Sequence, residues 1–176
     1  MKLILSTAII SISGLFVSSI YTKQFTTLAG TNISLSQYQG KKMLLVNIAS
    51  GSQYAALQIP QLQQLYQQYK DSLVVIAFPS NDFGKEPKNN ADLKLLLQNT
   101  YHINFPVSVL TTVNDSQAST NPVYKWLQNQ NENGSTGKKL TGDFQKYLID
   151  KDGSIIGVFG ATTSPTSNAV INAITQ

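Results

Sequence analysis

Residues 43–52 read MLLVNIASGS, and Met43 to Ala49 form a nearly continuous apolar run. Such a run marks a central strand covered on both faces. Leu62, Leu65, Tyr66 and Tyr69 follow at i, i+3, i+4 and i+7, one face of a helix, with Pro60 suited to its first turn. Leu73 to Phe78 is a second buried strand. Asp92 to Tyr101 reads as a second helix with Leu93, Leu96 and Leu97 inward, Val107 to Leu110 as a third strand, and Pro122 to Leu127 as the start of a third helix. Near the end, Tyr147 to Asp150 and Ile155 to Phe159 flank Lys151-Asp152-Gly153-Ser154, and Asp-Gly between apolar runs is a strong hairpin signal. Ser167 to Ile174 reads as a last helix packing Val170, Ile171 and Ile174. Upstream of the central strand, Phe25 to Leu28 and Ile33 to Leu35 flank a Gly/Asn turn and predict an opening hairpin. The polar stretch from Gln128 to Lys139 reads as a mobile surface loop. Alternating strands and helices followed by an antiparallel hairpin predict an α/β domain, a mixed sheet with helices on both faces. Periodicity alone does not select one α/β fold among several.

Composition narrows the function. The 176 residues are 41% hydrophobic and 12% charged, enough apolar content for one packed domain. The net charge is +4, and every basic residue is a lysine. Without the planar guanidinium fork or a basic stripe, nucleic acid is not an expected partner. Cysteine is absent, which excludes disulfides, thiolate metal sites, thiol catalysis and a lipoprotein anchor together. Residues 1–19 read as a leader: Lys2, an apolar-leaning stretch from Leu3 to Val17, then small Ser18 and Ser19 where cleavage is plausible. Cleavage makes the product periplasmic or secreted, with a domain at 20–176. Retention makes residues 3–19 an anchor, the only route to membrane association.

Further motifs carry a family resemblance. Leu35 to Lys42 resembles the strand-entry segment of the glutathione peroxidases, and Leu45-Val46-Asn47-Ile48-Ala49-Ser50 their LVNVAS strand before the catalytic turn. Leu62 to Tyr66 resembles their first helix. Phe78-Pro79-Ser80-Asn81-Asp82-Phe83-Gly84, then Glu86-Pro87, is similar to their FPCNQFG…EP signature. Phe105-Pro106, Pro122 to Leu127 (with the single tryptophan, Trp126) and Phe144 to Gly153 resemble later landmarks in the same order. The resemblance runs from about residue 20 to 176 and implies a thioredoxin-like fold, a peroxidase ancestry acting on hydroperoxides, and a role in the response to oxidative stress.

The same resemblance fails at the active site. It implies a peroxidatic cysteine or selenocysteine two residues after Ser50, where Ser52 stands; counting back from Leu62 instead gives Gln53, as if the loop were one residue longer. Asp82 corresponds to the assisting Gln, and Gly142-Asp143 to the Trp-Asn pair. Gln98 lies near the expected resolving cysteine. Ser52, Asp82 and Asp143 are therefore the positions of a degenerate site, expected not to reduce peroxide. A thiolate attacks the O–O bond and is recovered from a sulfenic acid, whereas a serine hydroxyl has no comparable anion near neutral pH and no equivalent oxidised state.

His102 is the only histidine and reads as a helix-terminal surface residue rather than a base for Ser52. If family geometry holds, Ser52, Asp82 and Asp143 converge, and two carboxylates with a hydroxyl suit a hard cation or a polar ligand. The plainer reading, solvated loop aspartates, leaves no metal and no cofactor expected. The Asn-X-Ser/Thr triplets at Asn32, Asn114 and Asn133, and the many tyrosines, carry no assigned function. Three accounts follow: a degenerate peroxidase retained as an exported binding or interaction domain for an unknown small molecule or protein, an oxidoreductase acting by non-cysteine chemistry, or a remnant under no functional constraint.

Overall fold

The computed structural model describes residues 17–176, so most of the expected leader lies outside the described residues. The chain opens with a 3-10 turn at Ile20–Thr22, then the hairpin β1 (Gln24–Thr26) and β2 (Asn32–Ser34). The main sheet contains β3 (Lys42–Ile48), β4 (Leu73–Pro79), β5 (Lys146–Ile149) and β6 (Ile155–Phe159) in the order β4-β3-β5-β6. β3 runs parallel to β4 and antiparallel to β5, and β5 to β6 is antiparallel, so the sheet is mixed. Helices α1 (Ala55–Gln68), α2 (Asn90–Asn99), α3 (Pro122–Leu127), α4 (Gln130–Asn133) and α5 (Asn168–Thr175) connect and cover it.

Strand alternation divides the core. Leu44, Val46 and Ile48 point to one face and pack with Ile59, Leu62, Leu65, Leu93, Leu97, Val170 and Ile174 from α1, α2 and α5. Met43 and Leu45 point to the other and pack with Phe78, Val123, Tyr124, Trp126 and the N-terminal residues Ile20 and Leu35. Each fully buried aliphatic side chain contributes about 1.5–3 kcal/mol, which fixes the register of β3 between two filled layers.

Three expectations are corrected. Pro60 lies inside α1 rather than in its first turn, because the helix begins at Ala55. Val107 to Leu110 is not a strand of the sheet. It forms single bridges, Val107 to Ala77 and Ser108 to Thr27; Pro79 of β4 has no N–H to extend the pairing, and the Leu110 N–H turns to Asn90 Oδ1 (2.7 Å) while the Thr111 N–H donates to the Pro79 carbonyl (3.0 Å). Residues 128–139 are not a mobile loop. They contain α4, and Gln128 and Asn133 are buried. Asn133 Nδ2 donates to the carbonyls of Trp126 (2.8 Å) and Thr136 (2.8 Å), while its Oδ1 accepts from the Ser135 and Thr136 amides. Side-chain amides there replace a backbone ladder.

Candidate active site

β3 delivers the chain to a tight turn, residues 49–54, at the N-terminal end of α1. The Ser52 N–H donates to the Ala49 carbonyl (3.1 Å), and Ser52 Oγ accepts from the Tyr54 amide (3.4 Å). Ser52 is buried and Gln53 exposed, so Ser52 is the residue directed into the molecule. Beneath the turn lies Glu86. Its Oε2 accepts from the Ser50 amide (2.6 Å), and its Oε1 from the Ser50 hydroxyl (2.6 Å) and the Lys88 amide (3.2 Å). Gly51 donates to the Lys85 carbonyl (2.8 Å), and a Cβ at this position would stand 2.7 Å from that oxygen. The turn is clamped to the 85–88 segment and has no room for a side chain at 51.

A second segment brings Asp143 beside Ser52. Asn47, polar within the apolar run, donates from Nδ2 to the Gly142 carbonyl (3.0 Å) and accepts at Oδ1 from the Gln145 amide (3.1 Å). Its own carbonyl accepts from the Phe144 amide (2.7 Å), and Phe144 adopts φ 57°. A non-glycine residue holds that conformation only when neighbours over-determine it. Lys146 adds one more constraint. Its fully buried ammonium donates to the Phe144 carbonyl (2.6 Å) and to Gln58 Oε1 (2.7 Å), and Gln58 Nε2 reaches the Ala161 carbonyl (2.6 Å). Burial lowers the Lys146 pKa to about 7.

The Asp143 carboxyl is buried, with Oδ2 3.9 Å from the Lys85 ammonium and Oδ1 without a hydrogen-bond partner. Burial raises its pKa above the ordinary value; the Lys85 charge and the Ser52 hydroxyl pull the other way, and Glu86 adds to the rise. Ser52 and Asp143 thus share one site with Lys85. Asp82 does not join them: its Oδ2 accepts from the Val113 (2.6 Å) and Asn114 (2.7 Å) amides and anchors that loop. Gly142 stands next to Asp143 with open space where a side chain would project. Gln98 and His102 are exposed, and His102 follows the end of α2 at φ 50°. Among the described residues, no group of three or more His, Asp or Glu side chains is placed to hold a metal ion, and no helix is long and apolar enough to cross a membrane.

Sequence reasoning did not give roles to Asn47, Lys85, Glu86 and Lys146. The available signals were an amide inside an apolar strand, a lysine inside β5, and a glutamate next to Pro87 in a chain with few charges.

A family model described as Glutathione peroxidase matches residues 20–128. The chain belongs to the glutathione peroxidase family. A probable phospholipid hydroperoxide glutathione peroxidase of Mesembryanthemum crystallinum is 38% identical over 140 residues, 78% of this chain and 81% of that protein. The glutathione peroxidase-like peroxiredoxin GPX5 of Chlamydomonas reinhardtii is 34% identical over 151 residues, 85% of this chain and 91% of that protein. Among solved structures, apo Trgpx superposes with a TM-score of 0.67 at 32% identity, covering 90% of this chain and 97% of that one. A thioredoxin-family thiol:disulfide interchange protein of Chlorobium tepidum, at 16% identity and TM-score 0.64 over 90% and 94% of the two chains, shares the fold alone. The family and the thioredoxin-like architecture expected from the motifs are therefore both present.

Proposed function

We propose that this family member does not reduce hydroperoxides through a thiol and that it serves as an exported binding or interaction domain. One observation carries the first half: a buried serine occupies the reactive turn of a chain with no cysteine at all. The turn is otherwise built with care, its backbone held by Glu86 and Lys85, so the scaffold is kept while the redox atom is not. Ser52 faces a buried carboxyl whose pKa burial raises, and any charge on that carboxyl opposes formation of an anion at position 52. The leader-like character of residues 1–19 supports export, and the clamped turn with Ser52 beside a buried Asp143 supports a retained binding role.

The relatives named as hydroperoxide peroxidases favour a second reading, reduction of hydroperoxides by non-cysteine chemistry. It needs a two-electron donor at the site, and a serine–aspartate pair supplies none. A turnover assay coupling NADPH oxidation to thioredoxin or glutathione, run on metal-free protein beside a cysteine-containing relative, separates the two. The first reading predicts the rate without enzyme; saturable turnover by this chain rejects it in favour of the second.

A further inference from the structure

We propose that Ser18-Ser19, flanked by Val17, is a strap belonging to the folded domain, so that any removal of the leader stops on the N-terminal side of Ser18. The family match begins only at residue 20, and the small pair Ser18-Ser19 is where the sequence itself invites cleavage. The structure makes those residues costly to lose.

The single tryptophan decides the matter. Trp126 is buried, and its indole N–H donates to the Ser18 carbonyl at 2.6 Å. The Ser18 N–H donates to the Glu132 carbonyl (2.9 Å), and its hydroxyl lies 3.4 Å from Glu132 Oε2, a carboxylate that also faces Lys23 at 3.6 Å. Ser19 caps the first turn: its Oγ accepts from the Tyr21 amide (3.2 Å) and its carbonyl from the Thr22 hydroxyl (2.8 Å). Val17 covers Gly134, the left-handed residue that ends α4; its methyl lies 3.3 Å from where a Cβ at Gly134 would be. The strap therefore joins α3, α4 and the 3-10 turn. A chain beginning at Ile20 loses the acceptor of a buried indole donor, and an orphaned buried donor is expensive. It loses the cap of its first turn as well.

Only the processing arm of the test rests on the export reading. With the whole chain, exchange of the lone indole N–H is followed by NMR. Strong protection is expected, and exchange at the rate of an exposed indole overturns the strap. A chain beginning at Ile20 is expected to melt roughly 4 to 10 °C below the whole chain; equal melting overturns the proposal. Trp126→Phe removes the orphan donor and is expected to shrink that gap; an unchanged gap assigns it to something other than the strap and overturns the role of Ser18. In an exporting host, the N-terminus of the folded product is read by mass spectrometry. A product starting at Ser18 or earlier supports the proposal, and one starting at Ser19 or Ile20 overturns it. Export failing altogether counts against the localisation reading, while the exchange and melting results still judge the strap.

Discussion

Restoring sulfur at position 52 alone is expected to give a poor thiolate, and Asp143 is the reason. In Ser52→Cys the new thiol sits beside a buried carboxyl whose nearest cation, Lys85, is 3.9 Å from Oδ2 and half-exposed. Two like charges about 4 Å apart at an effective dielectric of about 20 repel by about 4 kcal/mol, an upper bound of about 3 pKa units. The burial that disfavours the Asp143 charge and the opposing Lys85 charge reduce this to roughly 1–2 units. An ordinary thiol near 8.5 is then pushed to about 10, and the thiolate fraction at pH 7 falls from about 3% to about 0.1%. Ser52→Cys combined with Asp143→Asn removes the charge and supplies the amide that the family resemblance places there. The α1 N-terminus acts equally on both variants and cancels in the comparison. Because the chain has no other cysteine, iodoacetamide alkylation against pH reads this one thiol. The double variant is expected to titrate roughly 1–2 units lower and, because the lower-pKa thiolate is also the weaker nucleophile, to alkylate about three- to fifteenfold faster at pH 7. Thiol pKa values that coincide in the two variants would refute the reasoning.

Lys146 has a folded pKa near 7 and an unfolded value near 10.5, so the unfolded chain binds more protons between those values and stability rises with pH across that window. The unfolding free energy from urea titrations is expected to climb from pH 7 to 9, with a slope of up to about 1.4 kcal/mol per pH unit, and Lys146→Met to flatten the profile. Gly51→Ala drives a methyl against the Lys85 carbonyl and is expected to cost about 1–3 kcal/mol in urea unfolding; an unchanged midpoint contradicts the clamp. Glu86→Gln weakens three hydrogen bonds to the turn and its neighbour, and about 1.5–3 kcal/mol is expected to be lost, with faster amide exchange at Ser50.

The strands and most helices were legible because their signals are local. The apolar run at 43–49 can be satisfied only by two covered faces, and Asp152-Gly153 supplies the turn that β5 and β6 require, with Gly153 at φ 92°. Residues 128–139 look exposed by polarity alone. Gln128 is buried through hydrogen bonds to Val113 and Leu140, and Asn133 through a local set of backbone groups at Trp126, Ser135 and Thr136, and composition encodes none of those partners. Val107 to Leu110 has the apolar pattern of a strand, but Pro79 on β4 offers no N–H to continue the ladder and the Leu110 amide goes to Asn90 instead.

At the site, the position of Ser52 came from motif order. The convergence of Asp82 with it did not follow, since a carboxylate at that position finds two free amides at 113 and 114 within reach. The clamp by Glu86 and the support from Asn47 and Lys146 are tertiary hydrogen bonds between segments up to 98 residues apart, invisible to any window on the sequence.

The proposed loss of redox chemistry at the Ser52 turn is reached most directly by a single-turnover experiment. Metal-free native protein in excess over a phospholipid hydroperoxide, with dithiothreitol present, is expected to leave the peroxide decaying at the rate seen without protein. Peroxide loss that scales with protein concentration and disappears in Ser52→Ala would contradict the claim.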